Sequence, residues 1–403
     1  MGARRLGLLG LAAAAAVLLS GCVILPPPTS PPTTSPPTTS PATTSPPTTT
    51  PATTTPPTTS PATTSPATTT PPTTTPPTPS VEGGFADGHS LLGRSDADLA
   101  RELDGMVATG ATWLRTDVDW WLTQPSGPTA FDWGPVDRVI NAARARGLRV
   151  IGMIGYTPPW ARPPSTGTDD KYPPTNPADY ANFARAVALR YGPLGVKHWE
   201  IWNEPNISMF WKPKPDPARY AALLKAAYAA VKAADPGATV ITAGTSPAID
   251  LPDGSDVMPV TFLEGIYAAG AGGSFDAVAH HPSNYPNMPT KPEADYRNNS
   301  FAGIIPKLHE SMQAHGDGAK KVWATEMGAP APWSGMTTDF LAAYIRDAYT
   351  AWKGWSFVGP LIWYGYRDHG TNASDIEDHF GVVYSNFSPK EPALTAIKQM
   401  LGA

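Results

Sequence analysis

The chain has 403 residues, a formal net charge of −5 at pH 7 and a single cysteine. A mildly acidic chain without a basic run is a poor candidate for nucleic-acid binding. One cysteine excludes an intrachain disulfide, a CxxC redox pair and a cysteine-based zinc site. All 13 tryptophans lie within residues 113–363, so the large apolar side chains of a core belong to one block of the chain.

The N-terminus has the pattern of a bacterial export signal. Arg4-Arg5 precedes an apolar run over 6–19, which is too short to favour a full membrane span. The run ends in LSGC at 19–22, which resembles the lipobox, where the signal is cut before a cysteine that then carries the lipid. The resemblance implies removal of residues 1–21 and lipid attachment at Cys22, with the rest of the chain held outside the cell membrane by this anchor alone. A plain secretory signal with an incidental cysteine is the alternative.

Residues 26–80 form a low-complexity segment made almost entirely of Pro, Thr, Ser and Ala. The segment contains 20 of the 49 prolines and neither a charged nor an aromatic residue. It therefore cannot bury enough apolar surface to offset the entropy lost on ordering. Residues 22–80 are predicted to be a disordered Pro/Thr-rich tether, up to roughly 170 Å long as polyproline II. Residues 81–403 remain as the folded domain.

The folded part alternates helix and strand patterns along the chain. A capping-box pattern begins the first helix at Ser95, and a second helix ends at Gly147. Further helices begin at Asn176-Pro177 and Asp216-Pro217, where a capping residue precedes a proline. The last two lie around 304–312 and 340–352. The predicted strands are a weak one near 84–89 and clear ones at 112–117, 148–154, 196–202, 238–243, 275–280, 320–326 and 359–364.

Eight alternating strand and helix units predict a parallel sheet with helices outside it. Eight units in this length of chain favour a closed (β/α)8 TIM barrel over an open doubly wound sheet. Neither GxGxxG nor a P-loop motif follows any predicted strand, which argues against a nucleotide-binding fold.

Functional side chains of such a barrel lie at the C-terminal ends of its strands. Glu204 and Glu326 stand at two different predicted strand ends, among amide and aromatic residues. Two carboxyl groups suit cleavage of a glycosidic bond, since one donates a proton to the leaving oxygen and the other attacks or stabilises the oxocarbenium-like centre. A lone strand-end Glu is more often solvated or ion-paired, so the interpretation depends on the pair.

Two segments resemble the signatures of glycoside hydrolase clan A. HWEIWNEPN at 198–206 is similar to the clan's strand-four signature, and VWATEMG at 322–328 is similar to its strand-seven segment. The resemblance covers about 85–400 and is greatest to families 39 and 5, including the bacterial members that cleave exopolysaccharides. It implies that Glu204 is the acid/base and Glu326 the nucleophile of a retaining enzyme that needs neither a cofactor nor a metal.

The same resemblance implies roles for further residues. Asn203 would hydrogen-bond the 2-hydroxyl of the sugar, and Trp363 would form the floor beneath it. Arg115 would keep the nucleophile ionised. An ion pair with Glu200, which alternation places inside the barrel, is the alternative for Arg115. For Trp160, stacking on a neighbouring sugar and packing in the core are both open.

The strand-six segment leaves one choice open. FDAVAHHPSNYP at 275–286 resembles the clan's pattern of a His followed by a Tyr that contacts the nucleophile. His281 and Tyr285 are the expected substrate-binding residues, although the segment does not decide which of His280, His281 and Tyr285 faces the site. No further His or Cys at a suitable spacing accompanies the adjacent histidines, which argues against a metal site there.

These features predict a hydrolase that acts by double displacement on a polysaccharide or oligosaccharide outside the cell or in its envelope. Aromatic residues spread over several loops favour an open, polymer-binding groove and endo action. The sequence leaves open a transglycosylase that uses the same two residues, and a catalytically silent carbohydrate-binding lipoprotein. It does not specify the sugar, the linkage or the oligomeric state.

Overall fold

The computed structural model describes residues 81–291 and 300–403. The signal segment 1–21, the tether 22–80 and the lipid site at Cys22 lie outside the described residues. Within the described ranges, no helix combines the length and the hydropathy that crossing a bilayer requires.

Eight parallel strands close into a barrel in sequence order, which confirms the predicted (β/α)8 fold. The first strand closes the ring: Phe85 pairs with Leu114 on one side and with Trp363 on the other. The strands are β1 Gly83–Ala86, β2 Trp113–Asp119, β3 Arg149–Gly155, β4 His198–Ile201, β5 Thr239–Thr242, β6 Ala277–His280, β7 Lys321–Met327 and β8 Val358–Tyr364.

Helices follow every strand and surround the barrel. A single helical turn, α2, continues directly from β2, and short 3-10 segments complete several connections. The helices are α1 Asp96–Val107, α2 Trp120–Thr123, α3 Gly134–Ala145, α4 Pro177–Tyr191, α5 Pro217–Ala234, α6 Pro259–Ala268, α7 Ile305–Ala314, α8 Thr338–Lys353 and α9 Ala393–Leu401.

Three predicted helix starts have the capping geometry that their sequences indicate. The side chains of Ser95, Asn176 and Asp216 each accept a hydrogen bond from a backbone N–H in the first turn of the helix that follows. Pro177 and Pro217 stand at the first helical position, where the missing N–H has no intrahelical partner to lose.

Alternation along the strands separates two apolar cores. Side chains on one strand face fill the barrel, and those on the other face pack against the helices. The barrel interior is filled by Ala86, Trp113, Ile151, Ile241, Ala277, Ala279 and Ile362, with Trp323 and Tyr364 packed against them. The packed interior leaves the C-terminal ends of the strands as the place for a binding site.

The structure adds helices α2, α6 and α9 to the predicted set, and several strands are shorter than predicted. Helix α6 has the sequence PVTFLEGIYA, which is apolar nearly throughout and therefore lacks the polar stripe of a surface helix. Helix α9 closes the ring by packing against α8. Strand β4 covers only part of the predicted 196–202, because Trp202 has a φ of 75°, which an extended strand does not contain.

Candidate active site

A cavity of about 790 Å³ opens at the C-terminal ends of the strands. The expected site residues Arg115, Asn203, Glu204, His281, Tyr285 and Glu326 all line it. Residues that are up to 211 positions apart in the sequence therefore meet in one place. The volume is in the range of pockets that enclose drug-sized ligands, about 300–1,000 Å³.

Glu204 and Glu326 face each other across this cavity. Glu204 lies three positions beyond the end of β4, and Glu326 lies within β7. One carboxylate oxygen of each lies within 4.8 Å of the other. Their side chains are 13% and 21% exposed, so both carboxyl groups are shielded yet open to a ligand.

Arg115, which lies on β2, binds three side chains at once. Its guanidinium is hydrogen-bonded to Glu200 and to Glu326, and Nη2 donates to Oδ1 of Asn203 at 2.8 Å. The expected ion pair with Glu200 is present together with the contact to Glu326, because the planar fork reaches both carboxylates at once. Burial by itself raises the pKa of Glu200, but the charge of Arg115 and the nearby ring of His281 outweigh it and lower that pKa to about 2.

His281 connects the two carboxyl groups. Its Nδ1 lies 2.9 Å from Oε1 of Glu204 and 3.6 Å from Oε2 of Glu326. Burial opposes the charged ring, yet the charge of Glu326, the nearby carboxylate of Glu200 and the hydrogen bond to Glu204 raise the pKa of His281 to about 9. The ring is therefore protonated at neutral pH and donates from Nδ1.

A glycine makes room for this histidine. A Cβ at Gly244 would lie 2.1 Å from Nε2 of His281, closer than any two such atoms approach. The same glycine also holds the chain in place, since its N–H donates to Glu200 at 2.8 Å and its carbonyl accepts from the N–H of Glu204 at 2.9 Å.

The segment that carries Glu204 has an unusual backbone. Trp202 and Glu204 both have positive φ angles, 75° and 46°, in a region that non-glycine residues seldom occupy. The Trp202 indole donates to the carbonyl of Phe210 at 2.8 Å and fixes the turn from the other side. Such strain is commonly held at functional sites by the surrounding structure. Here it directs the Glu204 carboxyl into the cavity.

The structure decides which residues of strand six face the cavity. His281 and Tyr285 line it, whereas His280 is fully buried on the opposite face. Nδ1 of His280 lies 2.9 Å from Oγ1 of Thr245, and Nε2 lies 2.8 Å from Oγ of Ser300. Tyr285 packs edge-on against Phe380, with 5.7 Å between ring centroids. Contact between Tyr285 and the nucleophile stays a prediction.

The expectation for Trp363 is wrong, because this side chain does not line the cavity. Trp363 is fully buried on the outer face of β8, where its ring lies edge-on to Tyr344 of α8 at 6.2 Å. Tyr364, the next residue, faces the cavity and donates a hydrogen bond to Glu377 at 2.8 Å. Consecutive strand residues point to opposite faces, so the alternation from Ile362 would have identified Tyr364.

Trp160 also lies away from the cavity lining, and the packing alternative holds for it. Its Nε1 donates to the backbone carbonyl of Gln124 at 2.7 Å. Its ring lies edge-on to Trp120, with 5.8 Å between centroids. The side chain therefore anchors the loop after β3 to the short helix α2.

The loops after β1 and β8 also line the cavity, although the sequence analysis did not single them out. Asp87 and His89 follow β1, and His369 and Glu377 follow β8. Asp87 accepts a hydrogen bond from the N–H of Tyr366 at 3.1 Å, which ties the two loops together. These loops contain no catalytic motif, and only the closure of β8 onto β1 brings them to the site.

Glu204, His281 and Glu326 also form a cluster whose ligand atoms could surround a cation. The donor set does not favour a metal, because a ring protonated at neutral pH has no free lone pair for it. The positive charge of Arg115 already lies against Glu326. Among the described residues, this is the one group of three potential metal ligands whose atoms lie this close together.

No protein-family model matches the sequence. The fold is similar to that of clan A glycoside hydrolases. A family 39 glycoside hydrolase from Bacteroides cellulosilyticus WH2 is 25% identical, with a TM-score of 0.62 over 79% of this chain and 63% of that one. A monomeric β-xylosidase from Caulobacter crescentus CB15 is 19% identical, with a TM-score of 0.61 over 80% and 68%. A family 5 subfamily 18 enzyme from Bifidobacterium longum subsp. infantis is 16% identical, with a TM-score of 0.56 over 80% and 78%.

These similarities confirm the expected clan A barrel of the family 39 and family 5 type. The chain spans slightly less than two thirds of the family 39 structure from Bacteroides cellulosilyticus. The alignment covers 79% of the present chain, so the likeness concerns the barrel fold.

Proposed function

We propose that the protein is a retaining glycoside hydrolase that cleaves O-glycosidic bonds of a polysaccharide outside the cell. The observation that carries the proposal is the pair Glu204 and Glu326, which come from two strand ends and have carboxylate oxygens within 4.8 Å of each other. Retaining enzymes hold their two carboxyl groups about 5–5.5 Å apart, whereas inverting enzymes leave about 6.5–9.5 Å for a water molecule. The short distance supports double displacement.

In the first step, a Glu326 oxygen attacks the anomeric carbon of the sugar. The bond between that carbon and the leaving oxygen breaks, and Glu204 transfers its proton to the leaving oxygen. The sugar is then held as an ester of Glu326. Arg115 contacts the attacking carboxylate directly, which offsets its negative charge and aims it at the substrate.

In the second step, water replaces the leaving group. Glu204, now ionised, takes a proton from the water as its oxygen attacks the anomeric carbon, and the bond to Glu326 breaks. The stereochemistry of the anomeric carbon is inverted twice and therefore retained. His281 contacts both carboxyl groups, so it keeps their spacing through both steps.

The test is the activity of the protein on β-linked polysaccharides and aryl β-glycosides, with two variants. Glu326→Ala is expected to abolish turnover of every substrate. Glu204→Ala is expected to spare the first step for aryl glycosides with an activated leaving group, because these leave without a proton. Glu310→Ala, at an exposed position of α7, is the matched control and is expected to retain full activity.

The outcomes separate the alternatives. Equal loss of activity on activated and unactivated substrates in Glu204→Ala would contradict the acid/base role. Sugar transfer to a second hydroxyl in place of hydrolysis would indicate a transglycosylase. Polymer binding without turnover by the unaltered protein would indicate a carbohydrate-binding protein.

We also propose endo action, supported by a cavity of about 790 Å³, which exceeds the needs of one sugar ring. A rapid fall in polymer viscosity with little release of reducing sugar is the expected result. Release of single sugars from the chain end would contradict it.

Lipid anchoring at Cys22 remains part of the proposal and is supported by the sequence LSGC at 19–22. Metabolic labelling with a radioactive fatty acid is expected to mark the protein and to leave Cys22→Ser unlabelled. Labelling of the variant would contradict the assignment.

A further inference from the structure

His369 is a basic side chain of the cavity that the catalytic scheme does not use. It follows β8, lines the cavity and is 25% exposed. Its Nε2 lies 3.7 Å from Oδ1 of Asp87, which is close enough for an ion pair and too far for a hydrogen bond. Among the described residues, neither of these two buried atoms has a hydrogen-bond partner. The ion pair therefore directs one edge of the imidazole toward Asp87.

Asp87 is itself held in place. Its side chain is fully buried, and Oδ2 accepts a hydrogen bond from the N–H of Tyr366 at 3.1 Å. The His369 ring also lies edge-on to Tyr364 of β8, with 6.1 Å between centroids. These neighbours from the loop after β1 and from β8 set the orientation of the imidazole.

The other ring nitrogen of His369 faces the cavity. Among the described residues, no group hydrogen-bonds to Nδ1, and Nδ1 is not one of the buried unpartnered atoms. The two nitrogens of an imidazole project from different edges of the ring, so Nδ1 points away from Asp87. Because this partly exposed side chain borders the cavity, Nδ1 is the atom that a bound sugar can reach.

The other basic side chains that line the cavity are engaged or largely exposed to water. Arg115 and His281 are hydrogen-bonded to the catalytic carboxyl groups. His89 lies 3.0 Å from Asp119, but its side chain is 60% exposed, so a hydrogen bond from it to a sugar competes with water. Among the described lining residues, His369 is therefore the shielded basic residue with an unengaged nitrogen.

The position of His369 in the barrel indicates which part of the substrate it contacts. In the proposed mechanism, Glu204 follows β4 and gives its proton to the leaving group, so the leaving group lies on the side of β4. Strand β8, which precedes His369, is four strands away in a ring of eight and is therefore opposite β4. The side chain thus borders the glycone, which is the sugar that becomes bound to Glu326.

We propose that His369 is a specificity-determining residue that donates a hydrogen bond from Nδ1 to one hydroxyl oxygen of the glycone. This inference rests on the proposed glycosidase function and names a residue that selects the sugar at the same site. Asp87 holds the ring, and the bond-breaking chemistry stays with Glu204 and Glu326.

The electrostatics of His369 agree with a donor role. Burial lowers its pKa, but the nearby carboxylate of Asp87 outweighs burial, so the pKa is raised above its ordinary 6.5. The charge of Arg94 acts against this rise, and that of Glu377 adds to it. A protonated ring has an N–H on both nitrogens, so it keeps the ion pair with Asp87 while Nδ1 donates. A charged donor makes a stronger hydrogen bond than a neutral one.

The test combines variants of His369 with sugars that lack one hydroxyl. The substrates are the nitrophenyl β-glycoside that the protein cleaves fastest and its monodeoxy derivatives, which share one leaving group. The proteins are the full chain and its His369→Ala and His369→Asn variants. His315→Ala is the matched control, because His315 is also paired with a carboxylate, that of Glu264 at 2.9 Å, and lies outside the cavity lining.

Loss of the hydroxyl that His369 contacts is expected to lower kcat/KM of the unaltered protein about 10- to 100-fold, since a site built to hydrogen-bond a hydroxyl rejects the analogue without it. His369→Ala is expected to lower kcat/KM on the parent glycoside by a similar factor. In this variant, removal of the same hydroxyl is expected to cost less than about threefold, because its partner is already absent. Asn places an amide N–H near the position of Nδ1, so His369→Asn is expected to recover part of the activity. His315→Ala is expected to match the unaltered protein.

The pattern across the deoxy series separates a contact with the sugar from general damage to the fold. A variant that is merely less stable loses activity equally on the parent glycoside and on every derivative, and urea unfolding measures its stability. An equal cost of each missing hydroxyl in His369→Ala and in the unaltered protein would overturn the proposal. A loss in His369→Ala that is confined to one of two aryl leaving groups would place the contact on the leaving side and would also contradict it.

Calorimetric titration with the methyl β-glycosides of glucose, xylose, galactose and mannose gives a readout that does not depend on turnover. Binding of the preferred sugar is expected to be at least about tenfold weaker in His369→Ala than in the unaltered protein. Equal affinity in the two proteins, or no binding by either, contradicts the role of His369. Binding that depends on His369 without hydrolysis of any aryl glycoside contradicts the proposed function alone.

Discussion

Nδ1 of His281 lies 2.9 Å from Oε1 of Glu204, and the ring is 3% exposed. The residue that follows β6 is thereby hydrogen-bonded to the residue that carries the leaving-group proton in the proposed mechanism. A protonated histidine in this place offsets the negative charge of Glu326 beside the Glu204 carboxyl group.

The first prediction concerns the pH dependence of stability. The folded-state pKa of His281, about 9, exceeds its ordinary 6.5, so the folded protein binds a proton more tightly than the unfolded chain. Its stabilisation is complete below pH 6.5 and is lost as the pH rises through about 9. We expect the gap in unfolding free energy between the protein and His281→Gln to shrink by roughly 3 kcal/mol over this window. Urea titrations at pH 6 and pH 10 measure it, and a gap that widens with pH contradicts it.

The second prediction concerns the buried carboxylate of Glu200. This group accepts hydrogen bonds from Gly244 and Thr325 as well as from Arg115. Glu200→Gln leaves Arg115 without its buried partner and is expected to cost about 3 kcal/mol of unfolding free energy at neutral pH. The exposed substitution Glu310→Gln is expected to cost less than about 0.5 kcal/mol.

The loss of unfolding free energy in Glu200→Gln is expected to depend on pH. The folded-state pKa of Glu200 is about 2, below its ordinary 4.5, so its stabilisation is present above pH 4.5 and is lost as the pH falls toward 2. The difference between protein and variant should therefore decrease on acidification, as measured by urea unfolding between pH 6 and pH 3. A constant difference would show that the carboxylate charge is not what stabilises the fold.

The third prediction concerns the fork of Arg115. Arg115→Lys keeps the charge but cannot contact Glu200, Asn203 and Glu326 together. We expect kcat/KM to fall at least about 100-fold, with most of the loss in kcat. The same exchange at Arg185, exposed on α4, should leave activity unchanged. A comparable loss of kcat/KM in both variants would contradict the positioning role of Arg115.

The fourth prediction separates two adjacent aromatic residues. Tyr364→Phe removes a hydroxyl that faces the cavity and donates to Glu377, and it is expected to raise KM about tenfold with little loss of stability. Trp363→Phe shrinks a fully buried side chain and is expected to cost about 1–3 kcal/mol of stability while KM stays the same. Steady-state kinetics and urea unfolding of both variants test the pair. A KM effect confined to Trp363→Phe would show that Trp363, and not Tyr364, contacts the substrate.

The sequence by itself determined the barrel and singled out Glu204 and Glu326 as the candidate carboxyl pair. Capping residues such as Ser95 and Asp216 and the strand-helix rhythm are local signals, because each depends on neighbours within one or two turns. Glu204 lies in a motif whose residues are consecutive. For these features, short-range chemistry is enough to predict the result.

Only the tertiary structure decided which side chains meet. Trp363 and Tyr364 differ by one position, and the closure of β8 onto β1 sets which of them faces the cavity. Arg115 and its three partners come from three segments that lie far apart in the sequence. These properties depend on contacts between distant segments, which barrel closure creates and which no local pattern encodes.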